Sequence, residues 1–262
     1  MKIPFTKAHG AKNDFLLTWL RDAPPPDSRA GIARAICDRH TGVGADGWML
    51  VEPDPEVDGA IQLYNSDGSM AEISGNGTRC AAAFLIRHGS TAETVRVRTG
   101  AGVKTLRLLE RRGLYFQFEM NMGRPEMAAE RFQLPLSTGP RDVTLLWVGN
   151  PQCAVPVDDF DFDWRAMGAE IESHPLFPER TNVSFFRAVG ENAIEARFYE
   201  RGAGETMSSG TGSTGAAAAA ARALVASPVR VLTPAGPLDL RIEEDVYLTG
   251  PAEIVAEGEA LM

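Results

Sequence analysis

Ser74-Gly-Asn-Gly-Thr-Arg-Cys-Ala-Ala-Ala and Ser209-Gly-Thr-Gly-Ser-Thr-Gly-Ala-Ala-Ala share one pattern, S-G-x-G followed after three residues by an alanine run, and they lie about half the chain apart. Each follows a turn-rich acidic segment, Asn65-Ser-Asp-Gly-Ser-Met-Ala-Glu-Ile in one case and Glu200-Arg-Gly-Ala-Gly-Glu-Thr-Met-Ser in the other. Serine is a preferred helix N-cap. The glycines beside it leave the first backbone amides unshielded, the arrangement by which a helix N-terminus binds an anion. The repeats therefore predict two helices, residues 75–88 ending at Gly89 as a C′ glycine and residues 210–225 ending before Ser227-Pro228. The second carries six consecutive alanines, Ala216–Ala221, and almost no charge, so it is expected to be surrounded by protein. A single serine cap is ordinary. The pairing suggests two facing groups over one substrate carboxylate.

Around these helices the sequence reads mostly as strands. Residues 2–8, 14–20, 47–52, 60–64, 95–99 and 103–110 are β-branched or aromatic-rich and bounded by Gly, Pro and Asn-Asp signals. The same texture returns at 114–121, 143–148, 183–188, 193–199, 229–232, 238–243 and 245–249, with a change near Gly123-Arg-Pro125. One further helix is expected over 28–39, with Ile32, Ala35 and Ile36 at helical spacing and Ser28 as its N-cap. The implied class is α+β: two pseudo-symmetric lobes, each a mostly antiparallel sheet wrapped around a central helix. The first lobe is expected over residues 1–115, with 252–262 returning to it, and the second over 116–251.

Composition narrows the function. A chain of 262 residues with 44% apolar and 23% charged residues is globular. Its net charge of −9 argues against nucleic-acid or anionic-membrane partners. No stretch approaches the roughly 20 apolar residues that span a bilayer, and the first ten residues lack a signal-peptide h-region. A cytoplasmic enzyme or binding protein is the expectation. Cys37, Cys80 and Cys153 form no C-x-x-C pair, so reduced, buried thiols are expected rather than disulfides or a zinc site.

Familiar cofactor motifs fail on context. Gly42-Val-Gly-Ala-Asp-Gly47 and Gly210-Thr-Gly-Ser-Thr-Gly215 both match G-x-G-x-x-G. The first runs from a predicted helix into a strand, the reverse of the dinucleotide order, and no Asp or Glu follows the second through Leu238. Neither run continues into Gly-Lys-Ser/Thr, and none of Lys2, Lys7, Lys12 or Lys104 sits in a glycine-rich cup suited to pyridoxal phosphate. His9, His40, His88 and His174 show no metal spacing. Neither a cofactor nor a metal is expected.

The order of motifs resembles the diaminopimelate epimerase family from Phe5 to about Glu259. The resemblance is carried by His9-Gly-Ala-Lys-Asn-Asp-Phe, Arg39-His-Thr-Gly-Val-Gly-Ala-Asp-Gly, Tyr64-Asn-Ser-Asp-Gly-Ser and Gly75-Asn-Gly-Thr-Arg-Cys. Gly149-Asn-Pro, His174-Pro-Leu-Phe-Pro-Glu-Arg-Thr-Asn, Glu200-Arg-Gly-Ala-Gly-Glu, Gly210-Thr-Gly and Thr249-Gly-Pro-Ala complete it. It implies a two-lobed, cofactor-independent enzyme, possible as a homodimer, that interconverts LL- and meso-diaminopimelate on the way to lysine and peptidoglycan. One cysteine thiolate removes the α-proton while a second thiol delivers one to the other face. By resemblance Asn13, Asn65, Asn150, Asn182, Glu200 and Arg201 bind substrate, and Gly75, Asn76, Gly210 and Thr211 cradle the carboxylate.

Both catalytic-cysteine positions are here Ser74 and Ser209, while Gln152 replaces the histidine common after Asn-Pro. A thiol near its reference pKa of about 8.5 is already partly ionised at neutral pH. A helix N-terminus contributes at most about 2 kcal/mol, roughly 1.5 pKa units, too little to ionise a hydroxyl. A serine needs a neighbouring base, and Glu72 and Glu205 are the nearest acidic residues in sequence. Three accounts stay open: an engineered double Cys→Ser variant, a natural isomerase whose serines borrow a base, and a diaminopimelate-binding protein without turnover. Another isomerase of the same fold acting on a different carboxylate is the alternative enzyme. A binding module for a zwitterionic amino acid is the alternative that is not one.

Overall fold

The computed structural model describes all residues, Met1–Met262. It has seventeen strands and four α-helices and is a sheet-dominated α+β fold. The chain divides into two compact units, Met1–Met120 with Gly250–Met262, and Asn121–Thr249. No helix is long and apolar enough to cross a membrane.

The first unit contains β1 (Lys2–Gly10), β2 (Asn13–Trp19), α1 (Pro26–Cys37), β3 (Gly47–Glu52), β4 (Gly59–Asn65), β5 (Met70–Ala71), α2 (Gly75–Arg87), β6 (Thr94–Thr99) and β7 (Gly102–Arg112). It is followed by β8 (Tyr115–Gly123), which runs on into the second unit. β1 and β2 form a hairpin whose two-residue turn, Ala11-Lys12, has positive φ at both positions (51° and 61°). That backbone matches the right-handed twist of the strands but is uncommon for residues with a Cβ. β2 pairs parallel with β3, β3 antiparallel with β4 and β4 parallel with β6. Helix α2 packs on β1, β2, β6 and β7, and every residue from Gly75 to Ile86 is buried.

The second unit contains β9 (Glu126–Leu134), β10 (Arg141–Trp147), β11 (Pro151–Pro156), α3 (Trp164–Glu172), β12 (Asn182–Gly190), β13 (Ala193–Glu200) and β14 (Gly204–Thr206). After α4 (Gly210–Ala220) come β15 (Val229–Thr233), β16 (Gly236–Ile242) and β17 (Val246–Leu261). The last strand begins on β16 and ends along β1. β11 and β12 run parallel, β12 and β13 antiparallel, and β13 and β15 parallel. α4 packs on β10, β11, β12, β13, β15 and β16. Apart from Ala219 it is wholly buried, which Gly and Ala side chains allow because strands can approach its backbone closely.

Three sequence expectations need correction. Helix α1 starts at Pro26 with Pro25 as N-cap, and Ser28 lies inside it, its Oγ donating to Pro25 O (2.8 Å). Proline at the first helical position loses no hydrogen bond and presets φ, so it outcompetes the serine. Helix α3 was not anticipated. Asp163 caps it by accepting from Ala166 N (3.0 Å), and Trp164, Met167 and Ile171 form its buried stripe, a short pattern among polar neighbours. Helix α4 stops at Ala220, where the chain passes into turns that return Leu224 N and Val225 N to Ala220 O. The start of α2, and Gly89 at positive φ (116°) after its C-cap His88, follow the sequence expectation.

Candidate active site

At the start of α2, Ser74 is extended (φ −128°, ψ 123°) and its Oγ accepts from Gly77 N at 3.0 Å. The first intrahelical bond runs from Thr78 N to Ser74 O, so the Gly75 and Asn76 amides precede any intrahelical acceptor. The β1–β2 hairpin end abuts this turn. A Cβ on Gly10 would stand 3.0 Å from Asn76 O, and only glycine lets the strand come so close. Asn13 leaves that hairpin with its amide held at both ends. Its Nδ2 donates to Asp46 Oδ2 (2.7 Å), and its Oδ1 accepts from Asn76 Nδ2 (3.2 Å). Asn65 ends β4 opposite Gly47, its Nδ2 donating to Ser69 Oγ (3.0 Å).

Charge behind this half is arranged in pairs. Arg39 Nη2 donates to Asp14 Oδ1 and Asp46 Oδ1, both at 2.7 Å, and Lys7 Nζ lies 3.1 Å from Asp14 Oδ2. Burial pushes the Asp14 carboxyl up, but its bonds to Arg39 and Lys7 outweigh that and hold it below the usual range. Burial, then the Asp14 charge, raise Asp46.

At the start of α4, Ser209 repeats the geometry (φ −132°, ψ 126°), its Oγ accepting from Gly212 N at 3.0 Å. The two caps differ in one contact. Ser209 Oγ also donates to Glu200 Oε2 at 2.9 Å, and Glu200 Oε1 accepts from Thr206 Oγ1 at 2.5 Å. Ser74 Oγ has the Gly77 amide as its partner and touches no carboxylate. Of the two acidic neighbours expected from the sequence, Glu205 is instead bound by Arg165 (2.6 and 2.8 Å).

Strand register explains how Glu200 reaches Ser209. Ser184 of β12 faces Phe198 of β13, and side chains alternate, so Asn182 and Ser184 share a face with Phe198 and Glu200. Ser184 and Phe198 on that face lie beside Gly212 of α4, where an added Cβ would meet Ser184 Oγ at 2.8 Å and Phe198 Cδ1 at 2.9 Å. Asn182 Nδ2 donates to Pro151 O (3.0 Å), while Arg201 N donates to Asn182 Oδ1 (3.1 Å). Asn150 Oδ1 accepts from Gln152 Nε2 (2.7 Å), leaving Gln152 Oε1 buried without a hydrogen-bond partner. Thr211 is buried in the first turn of α4 after Gly210.

Each unit thus gathers its own share of the expected residues: Asn13, Asn65, Ser74, Gly75 and Asn76 in the first, and Asn150, Asn182, Glu200, Arg201, Ser209, Gly210 and Thr211 in the second. The sequence reading missed Asp46, Thr206 and Arg79 as parts of this machinery. Asp46 and Arg79 stand inside motifs already quoted, but only the three-dimensional contacts show what they hold.

The cysteines are free and buried. Burial raises Cys37 and Cys80 to about 12, and raises Cys153 further. None is a thiolate at neutral pH. The native protein is expected to give no rapid reaction with a thiol reagent at pH 8, and three equivalents after denaturation. A fast-reacting thiol in the native state would contradict this burial.

The fold is shared with solved structures of low sequence identity. A hydroxyproline epimerase from Agrobacterium vitis, with bound trans-4-hydroxy-L-proline, superposes with a TM-score of 0.76 at 17% identity, covering 99% of this chain and 91% of its own. A phenazine biosynthesis protein from Bacillus anthracis matches with a TM-score of 0.74 at 15% identity over the whole of both chains. These likenesses show a shared fold. The diaminopimelate epimerase family model matches residues 5–128 and 144–255. The chain belongs to the diaminopimelate epimerase family, a family of isomerases. The diaminopimelate epimerase of Pelotomaculum thermopropionicum is 39% identical, covering 97% of this chain and 98% of its own. That of Ralstonia nicotianae is 40% identical over 98% and 96%.

Proposed function

We propose that the chain is a cofactor-independent amino-acid epimerase-type protein that binds diaminopimelate, with Ser74 and Ser209 in the two acid/base positions. The observation that carries this is the repeated serine-capped, glycine-flanked helix start, one in each unit, with Glu200 hydrogen-bonded to Ser209. The family relatives bear the name diaminopimelate epimerase, which supplies the substrate. The helix-start amides at Gly75, Asn76, Gly210 and Thr211 are proposed to hold the carboxylate. Asn13, Asn65, Asn150, Asn182, Glu200 and Arg201 are proposed to read the rest of the substrate. The matching helix starts also support reading the chain as two pseudo-symmetric lobes. The active form is taken to be a cytoplasmic homodimer with a small-molecule substrate as its partner.

The chemistry follows from the contacts. When the Cα–H bond breaks, Ser209 Oγ takes the α-proton and passes its own to Glu200 Oε2, while the electron pair moves into the carboxylate. Amides aimed at that carboxylate stabilise the developing charge. Inversion requires a proton from the opposite face, the task proposed for Ser74. A hydroxyl is a poor carrier in either direction, and only Ser209 has a carboxylate to relay through. Removal and return of a proton on the Ser209 face is therefore expected to outpace inversion.

Incubation of the chain in D₂O with LL- and with meso-diaminopimelate tests this. Deuterium is expected at the α-carbon of one isomer, with retention, faster than interconversion, and Glu200→Gln is expected to abolish the exchange. Equal exchange in both isomers would sink the asymmetric assignment. Binding with no exchange at all would favour the binding module.

A further inference from the structure

The side chain of Arg79 is fully buried within α2, yet it has no carboxylate partner. Its Nε donates to Pro251 O (3.0 Å), Nη1 to Gly75 O (3.2 Å) and Nη2 to Asn76 Oδ1 (2.5 Å). All three acceptors are neutral. An ion taken out of water without a counter-charge is costly, and here the placement compounds the cost. The guanidinium folds back toward the first turn of α2, the positive end of the helix dipole, where a cation is disfavoured. Burial lowers its pKa only to about 10, so it remains charged at neutral pH. A neutral donor would tie α2 to β17 through Pro251 O equally well. The charge itself is what a structural account leaves unexplained.

The side chain also ends a directed chain of amides. Arg79 donates to Asn76 Oδ1, Asn76 Nδ2 donates to Asn13 Oδ1, and Asn13 Nδ2 donates to Asp46 Oδ2. A cation at one end and a carboxylate at the other fix the orientation of both asparagines, since a flip of either would set donor against donor. Both asparagines belong to the proposed substrate set. We infer that Arg79 is a positioning residue that locks Asn76 and Asn13 and supplies the buried positive charge for which the ligand carboxylate at the start of α2 is the counter-ion. This rests on the carboxylate-binding part of the function proposed above.

Calorimetric titration with diaminopimelate and with its dicarboxamide is the test. The unsubstituted protein is expected to prefer the dicarboxylate. Arg79→Gln is expected to lose at least tenfold in diaminopimelate affinity and most of that preference, while the melting temperature of the ligand-free protein stays level or rises. Arg79→Lys, which keeps the charge, is expected to recover part of the preference. An Arg79→Gln protein that melts lower yet binds diaminopimelate within twofold of the unsubstituted chain would overturn the inference and leave Arg79 a structural tie. Should the variants not fold, the Arg79 Nε–H resonance of the unsubstituted protein decides. It is expected to move with diaminopimelate and stay still with the dicarboxamide, and no movement overturns the inference. Failure of the unsubstituted chain to bind diaminopimelate would instead remove the functional reading beneath it.

Discussion

Placing thiols at both helix starts, Ser74→Cys together with Ser209→Cys, is expected to raise the rate of LL- to meso-diaminopimelate conversion by at least about a hundredfold, since a well-placed acid/base pair contributes roughly 10²–10⁴-fold. The effect should be large because the helix start at position 74 suits a thiolate, while at position 209 the Glu200 carboxylate, 2.9 Å from the Ser209 Oγ, is placed to take a thiol proton. Each side chain caps a helix through the third amide at 3.0 Å, and thiols at helix N-termini fall to about 3.5–7.5. The same field leaves a hydroxyl protonated. The glycines on the inner side of each cap leave room for the larger sulfur, a Cβ on Gly77 falling 3.2 Å from Ser74 Cβ and one on Gly212 falling 2.9 Å from Ser209 Oγ. The measurement is isomer interconversion with deuterium incorporation in D₂O. The single variants are expected to gain far less than the pair, because inversion needs both faces. A folded double variant that binds diaminopimelate but converts no faster would show that these positions do not carry the protons.

Gly42→Ala is expected to destabilise the protein by about 3 kcal/mol or more, beyond the usual cost of core overpacking. A Cβ there would lie 2.2 Å from Ala35 O, 2.7 Å from Ile36 O and 2.9 Å from Asp38 O. All three are backbone carbonyls at the end of α1, so no side-chain rotation relieves the clash. The loop is also pinned, with Val43 N and Gly44 N both donating to Ile36 O and Ala45 N to Cys37 O. Relief would therefore have to move Asp46 and with it Asn13. Thermal unfolding should show a drop on the order of 6–12 °C, at roughly 2–4 °C per kcal/mol for a chain of this size. Diaminopimelate affinity should fall as well. A melting temperature within a degree or two of the unsubstituted protein would contradict the geometry.

Gly42 also shows what the sequence could and could not reveal. Its G-x-G-x-x-G match runs in the reverse of the dinucleotide element order, and the structure supplies the glycine's actual reason, close packing over a helix end. Features resting on a few neighbouring residues were legible in this way: serine caps at 74 and 209, glycines after them, Gly89 ending α2, and thiols without partners. The α1 start failed because two capping signals competed within four residues and the proline prevailed. Helix α3 is too short for its stripe of three apolar residues to stand out from loop.

The most informative site contact was out of reach for a different reason. Glu200 meets Ser209 because β12, β13 and β14 pair in a particular register, and register depends on the whole sheet. Sequence proximity pointed to Glu205, which the exposed Arg165 takes instead. Likewise, nothing local in Asp46 or Arg79 announces that two asparagines bridge them.

The central claim is that the chain as it stands binds an amino acid with two α-amino-acid centres. Calorimetric titration of the unmodified protein with diaminopimelate, against lysine as a ligand with one such centre, tests it most directly. Diaminopimelate is expected to bind at least tenfold more tightly than lysine. Equal affinities, or no heat from diaminopimelate at millimolar concentration, would contradict the account.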